Sequence, residues 1–174
     1  MNKLDVMKNM GFAITWKLIS IGLYGSGRIP VSLTYDDVFE YIDDSYSENN
    51  GQTDNMIALI CEENEREEFD KLLKGFSNRE SSDVDLQKRK WRCCLLRSLI
   101  DNIDEDFFQG LLELMEFWVS MGITDDCPQA FPKPNDKTSI DNYFSRESYV
   151  YNLNKNKIWL KREIADIINE ESKN

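Results

Sequence analysis

The chain has 174 residues, 41% of them hydrophobic and 11% aromatic, which is enough to bury a core and excludes a disordered polymer. Its net charge is −11 and it has no histidine, so Ser-His-Asp, Cys-His and most nuclease general-base schemes are excluded. The longest apolar run, Leu111–Met121, is interrupted by Glu113 and Glu116, short of the ~20 residues that cross a bilayer.

The first ten residues lack the apolar stretch of a secretion signal, which places the expected protein in the cytoplasm. Thr15 reads as an N-cap for a short helix carrying Trp16, Leu18, Ile19 and Leu23, which Gly25-Ser26-Gly27 then ends. Those glycines have neither the spacing nor the Lys of a phosphate loop. Thr34 reads as the next N-cap, with Asp36 and Asp37 in the first turn, where acids suit the helix dipole. Val38, Phe39, Tyr41 and Ile42 give this helix its apolar side; Asp36, Asp37, Glu40, Asp43 and Asp44 fill the rest. Residues 47–53 form a turn-rich linker.

One or two helices follow over 54–76. Met56, Ile57, Leu59 and Ile60 form one apolar set, Phe69, Leu72, Leu73 and Phe76 the other, and Glu62, Glu63, Glu65, Glu67 and Glu68 lie between them. After a polar link at 77–82, residues 84–103 and 106–121 read as two helices apolar on most sides, a hairpin whose burial anchors the fold. The first holds Trp91, Cys93, Cys94, Leu95, Leu96, Leu99, Ile100 and Ile103, the second Phe107, Phe108, Leu111, Leu112, Leu114, Met115, Phe117, Trp118 and Val119.

Residues 122–146 hold three prolines and are expected to be irregular, clamped by Tyr143, Phe144, Tyr149 and Tyr151. The stretch 149–153 allows a short strand. A last helix over 157–171 places Leu160, Ile164, Ile167 and Ile168 on one face. The expected fold is therefore all-α: one domain over 1–174, a multi-helix bundle around a central buried hairpin, with a long irregular segment before the C-terminal helix. A subdivision into an acidic half, 1–76, and a half holding the hairpin and last helix, 84–174, fits the same pattern.

Little here points to chemistry. The pairs Asp36/Asp37, Asp43/Asp44 and Asp125/Asp126 lack the DxDxDG spacing of cation loops. There is no CxxC, and adjacent Cys93 and Cys94 read as small core hydrophobes. No metal, cofactor or enzymatic activity is expected. Trp16, Trp91, Trp118 and Trp159 at helical spacing read as core. The cluster Lys88, Arg89, Lys90 and Arg92, beside Asp83 and Asp85, is expected to pair with the acidic block rather than with nucleic acid.

That block is the main signal. Residues 36–85 carry 16 acidic and 4 basic groups, whereas 1–35 carry +3 and 86–174 carry −2. Such a block repels nucleic acid and anionic membrane and attracts a basic protein. A run of like charge is often just a solvated face, but this one sits beside Tyr35, Tyr41 and Tyr46, which supply stiff contact area. The candidate partner-binding residues are Asp36, Asp37, Glu40, Tyr41, Asp43, Asp44, Tyr46, Glu62, Glu63, Glu65, Glu67 and Glu68.

Thr15-Trp16-Lys17, Lys90-Trp91-Arg92 with Leu95-Leu96, and Trp159-Leu160-Lys161 with Glu163 together resemble small acidic helical immunity proteins of bacterial contact-dependent growth inhibition and polymorphic toxin systems. The resemblance implies a non-catalytic inhibitor of a cognate toxin, commonly a basic nuclease domain. Its carboxylates would cover the toxin's active site or substrate groove in place of phosphates. No binding residue carries over from the resemblance, so the site residues rest on charge. The competing expectation is a helical adaptor or regulatory scaffold for another protein.

Overall fold

The computed structural model describes residues 2–48, 65–133 and 137–173, and every regular element among them is a helix. The order is α1 Lys3–Asn9, α2 Trp16–Tyr24, α3 Tyr35–Glu48, α4 Arg66–Arg79, α5 Val84–Asn102, α6 Phe107–Met121, α7 Lys137–Tyr143 and α8 Arg146–Glu171. The all-α class is thus observed, with both expected hairpin helices in place. The chain divides into two compact units, Met1–Trp91 and Arg92–Lys173, so the seam falls inside α5.

In the first unit, local chemistry sets the helix ends. Asn2 Oδ1 accepts from Leu4 N–H to start α1, and Thr15 Oγ1 accepts from Leu18 N–H to start α2, both at 3.0 Å. Gly25, at φ 75°, ends α2 in the left-handed region that favours glycine. A carboxylate from α4's end completes the α2 N-terminus: Glu80 accepts from the Trp16 and Lys17 N–H groups at 2.9 and 2.8 Å. Two otherwise orphaned donors are satisfied at the positive end of the helix dipole.

Packing here rests on a close approach over Gly22. Trp91 is wholly buried and its indole N–H donates to the Leu18 carbonyl at 2.8 Å. A β-carbon at Gly22 would lie 2.2 Å from the Trp91 ring, so only glycine lets α2 settle there. Lys90, also fully buried, donates from Nζ to the Ala13 carbonyl at 2.8 Å. Buried Phe69 of α4 meets Phe39 and Tyr35 of α3 edge-on, at centroid distances of 5.0 and 5.7 Å.

The second unit is organised by the packing of α6 on α8. Gly110 permits close contact with Tyr149, because a β-carbon there would lie 2.5 Å from that ring. Fully buried Trp118 meets Trp159 at right angles, 5.0 Å between centroids. Below them runs a buried amide network. Trp118 Nε1 donates to Asn156 Oδ1 at 2.6 Å, and Asn156 Nδ2 donates to Gln129 Oε1 at 2.9 Å. Gln129 Nε2 donates in turn to the Tyr143 hydroxyl at 2.6 Å, and Asn152 Oδ1 accepts from Ala130 N–H at 2.9 Å. The non-helical stretch 122–133 is therefore tied to α8 by hydrogen bonds.

Two local expectations change. Residues 149–153 are helical, not a strand, because Ser145 caps α8 a full twelve residues before Lys157: its hydroxyl accepts from Ser148 N–H at 3.2 Å. Within the segment expected to be irregular, residues 137–143 form α7.

Candidate partner-binding surface

α3 is built from the sequence up as a one-sided acidic helix. It carries six acidic residues and no basic one. At 100° per residue, Asp36, Glu40, Asp43 and Asp44 fall within an arc of roughly 100°. All four are exposed, and they lie opposite buried Val38, Ile42 and Ser45. None forms an ion pair with a lysine or arginine among the described residues. Asp36/Glu40 and Glu40/Asp44 are four apart, so carboxylates stand one turn above one another, an arrangement that costs about 0.2–0.5 kcal/mol per pair.

Asp37 has a different task. Its Oδ2 accepts from the Thr34 N–H at 2.7 Å while its own N–H donates to Thr34 Oγ1 at 3.2 Å, a reciprocal cap on α3. Its carbonyl accepts from Asn2 Nδ2 at 2.7 Å, and the same amide reaches Glu40 Oε2 at 3.2 Å, tying α1 to α3. Tyr41 is half-buried, with Lys8 Nζ 5.5 Å from its ring centroid. The side chain of Tyr46 and all of Glu62 and Glu63 lie outside the described residues.

The described acids of α4 make a different surface. Glu65, Glu67 and Glu68 are exposed, but they alternate with Arg66, Lys71 and Lys74, and Glu68 is paired with Lys71. The structure therefore brings the α3 set together and gives α4 a mixed face.

α3 is fastened to its neighbours by a knot that charge counting did not find. Asp70 Oδ1 accepts from the Tyr24 hydroxyl of α2 at 2.5 Å and from the Tyr35 hydroxyl of α3 at 2.9 Å. Lys74 lies over the Tyr24 ring and Arg66 over the Tyr35 ring, each 4.9 Å from the centroid. Burial, then the hydrogen bond to Asp70, push both phenols above their ordinary pKa. Protonated tyrosines thus remain donors to the carboxylate, and α2, α3 and α4 are joined through one atom. The i, i+11 spacing of Tyr24 and Tyr35 carries no periodic signal that would have revealed it.

The basic cluster is intramolecular, as expected, but only partly with the acidic block. Lys88 pairs with Asp85 at 3.4 Å, whereas Arg92 turns to Glu163 and Asp126 at 3.3 and 3.4 Å. The Arg92 guanidinium also lies 4.8 Å from the Trp159 centroid, and the Trp159 N–H donates to Asp126 at 3.1 Å. Burial raises the Asp126 pKa, but the Thr124 hydrogen bond, Arg92 and the Trp159 N–H outweigh it and hold the carboxyl below its usual range.

Among the described residues no group of three or more His, Cys, Asp or Glu is placed to hold a metal ion, and no helix is long and apolar enough to cross a membrane. Cys93 and Cys94 are buried, Cys127 is half-buried, and Cys61 lies outside the described residues.

Fold and surface together define an all-α protein that presents an acidic helix face on a hydrogen-bonded scaffold. Residues 4–167 match DUF2247, described as an uncharacterized protein conserved in bacteria, and the chain belongs to that family. No curated protein and no solved structure gives a significant match. Bacterial family membership agrees with the coarser part of the resemblance drawn from the sequence.

Proposed function

We propose that this protein binds and neutralises a basic protein partner through the outer face of α3, acting as an immunity protein against a cognate bacterial toxin whose active site or substrate groove it covers. One observation carries the reading: Asp36, Glu40, Asp43 and Asp44 stack outward on a single helix without an ion-pair partner among the described residues. A helix that only needs solubility gains nothing from stacking like charges one turn apart. A cationic partner removes that repulsion on binding and is steered to the surface by the same field. Half-buried Tyr41 and the α1 end beside it supply a flank that is already ordered. Covering a groove requires no catalytic group in this chain.

The test is co-expression with the product of the adjacent reading frame, followed by purification and stopped-flow association at several salt concentrations. A stable complex, protection of cells from that product, and an association rate that falls steeply with salt are the expected results. The variant Asp36→Lys/Glu40→Lys/Asp43→Lys/Asp44→Lys should lose association by at least a hundredfold while keeping its helical circular dichroism. Asp37 is left intact because it caps α3. Unchanged association by the reversed variant would overturn the proposal.

A further inference from the structure

A second surface, lying wholly within Arg92–Lys173, has the opposite character. Between the latter half of α5 and the middle of α8 is a groove of about 470 Å³. Its apolar lining is Ile100, Leu160 and Ile164, and its charged lining is Arg97, Asp101, Lys157 and Lys161. Arg97 is offset by Asp101, with Nε 2.7 Å from Oδ2. Lys157 and Lys161, one helical turn apart, have no ion-pair partner among the described residues of a chain whose net charge is −11. Unpaired cations in so acidic a protein, set along apolar surface, are out of keeping with simple solvation.

We infer that this groove docks an acidic amphipathic helix of a partner protein. Ile100, Leu160 and Ile164 offer apolar contact to one face of such a helix, and the lysines meet carboxylates on its flank. Charge complementarity chooses this occupant over others. A nucleic-acid backbone would leave Ile100, Leu160 and Ile164 against phosphates. A second copy of the chain is a poor fit through α3, because the apolar side chains Val38 and Ile42 of that acidic helix are already fully buried. The inference stands apart from the α3 proposal, since the residues and the sign of charge differ.

The probe is a fluorescein-labelled amphipathic helical peptide with Leu at i, i+3 and i+7 flanked by Glu, titrated with the full chain and followed by anisotropy. A sister peptide with Lys for every Glu is the control. The acidic peptide should bind and the basic one should not. Lys157→Glu/Lys161→Glu should weaken binding at least tenfold, and Lys157→Gln/Lys161→Gln by a smaller factor, with far-UV circular dichroism unchanged in both. No binding of the acidic peptide, or binding indifferent to the lysines, overturns the inference. So does sedimentation with phosphatidylglycerol vesicles, or self-association of the chain, that the same double reversal abolishes.

Discussion

Gly22→Ala is the sharpest probe of the first unit. Alanine is ordinarily the better helix former, by about 1 kcal/mol. Here the new methyl would sit 2.2 Å from Trp91 Cζ2 and 2.7 Å from Leu33 Cδ1, against an ordinary carbon contact of about 3.5–4.0 Å. Leu33 can rotate. Trp91 cannot, because it is fully buried and its N–H is tied to Leu18. Overpacking costs about 1–3 kcal/mol, and straining the indole hydrogen bond adds about 1 kcal/mol. After the propensity gain, the net loss is about 2 kcal/mol. With a urea slope of about 2 kcal/mol/M, the midpoint should fall by about 1 M. Gly75→Ala in α4 is the control, since a β-carbon there meets nothing within 4 Å; it should gain up to about 1 kcal/mol. Trp91→Phe on the Gly22→Ala background should recover part of the clash, giving a coupling above about 0.5 kcal/mol in a double-mutant cycle. If Gly22→Ala unfolds at or above the wild-type midpoint, the close approach is wrong.

The amide network and the buried phenol give two further expectations. Asn156→Leu strands the Trp118 N–H and the Gln129 carbonyl, so chemical denaturation should show a loss of about 2–4 kcal/mol, whereas exposed Asn154→Leu on the same helix should stay within about 0.5 kcal/mol. Burial pushes the Tyr143 phenol up to about 12; a folded pKa above the unfolded value of about 10 means its contribution is complete below pH 10 and vanishes as pH climbs from 10 to 12. Across that window, denaturation midpoints should show Tyr143→Phe losing about 2 kcal/mol less stability than the wild type; identical slopes would show that the phenol is not protected.

Much of the architecture was legible because it is written in short-range chemistry. Thr15, Thr34 and Gly25 announce helix ends by side-chain oxygen and left-handed backbone, and Trp91, Trp118 and Leu96 announce burial by helical spacing. What escaped was long-range or inverted. Asn152 and Asn156 point polar groups into the core, so the first turns of α8 lacked an apolar stripe and read as loop or strand. Asp37 and Glu80 look like members of an acidic run, yet one caps its own helix and the other serves α2 from more than sixty residues away. The surface candidates were legible only as composition: charge counting found α3, and it also counted α4, where lysines and arginines alternate with the acids. The groove beside Lys157 and Lys161 was missed because a net charge of −11 directs attention to the acids.

A solvated acidic face and a binding face can be told apart by stability itself. On α3, Glu40 and Asp44 between them account for both four-apart carboxylate pairs, 36/40 and 40/44. Glu40→Gln/Asp44→Asn removes both of them at almost no cost in helix propensity, and glutamine retains an acceptor for Asn2. The variant should therefore be more stable by up to about 1 kcal/mol at low ionic strength, with the gain disappearing as salt screens the wild type. The same variant should associate more slowly with the cognate basic partner, because the field that steers it is reduced. A surface kept at the expense of stability and needed for association is a functional surface. If neutralisation stabilises the protein and leaves association untouched, the acids of α3 serve solvation alone, and the partner binds elsewhere.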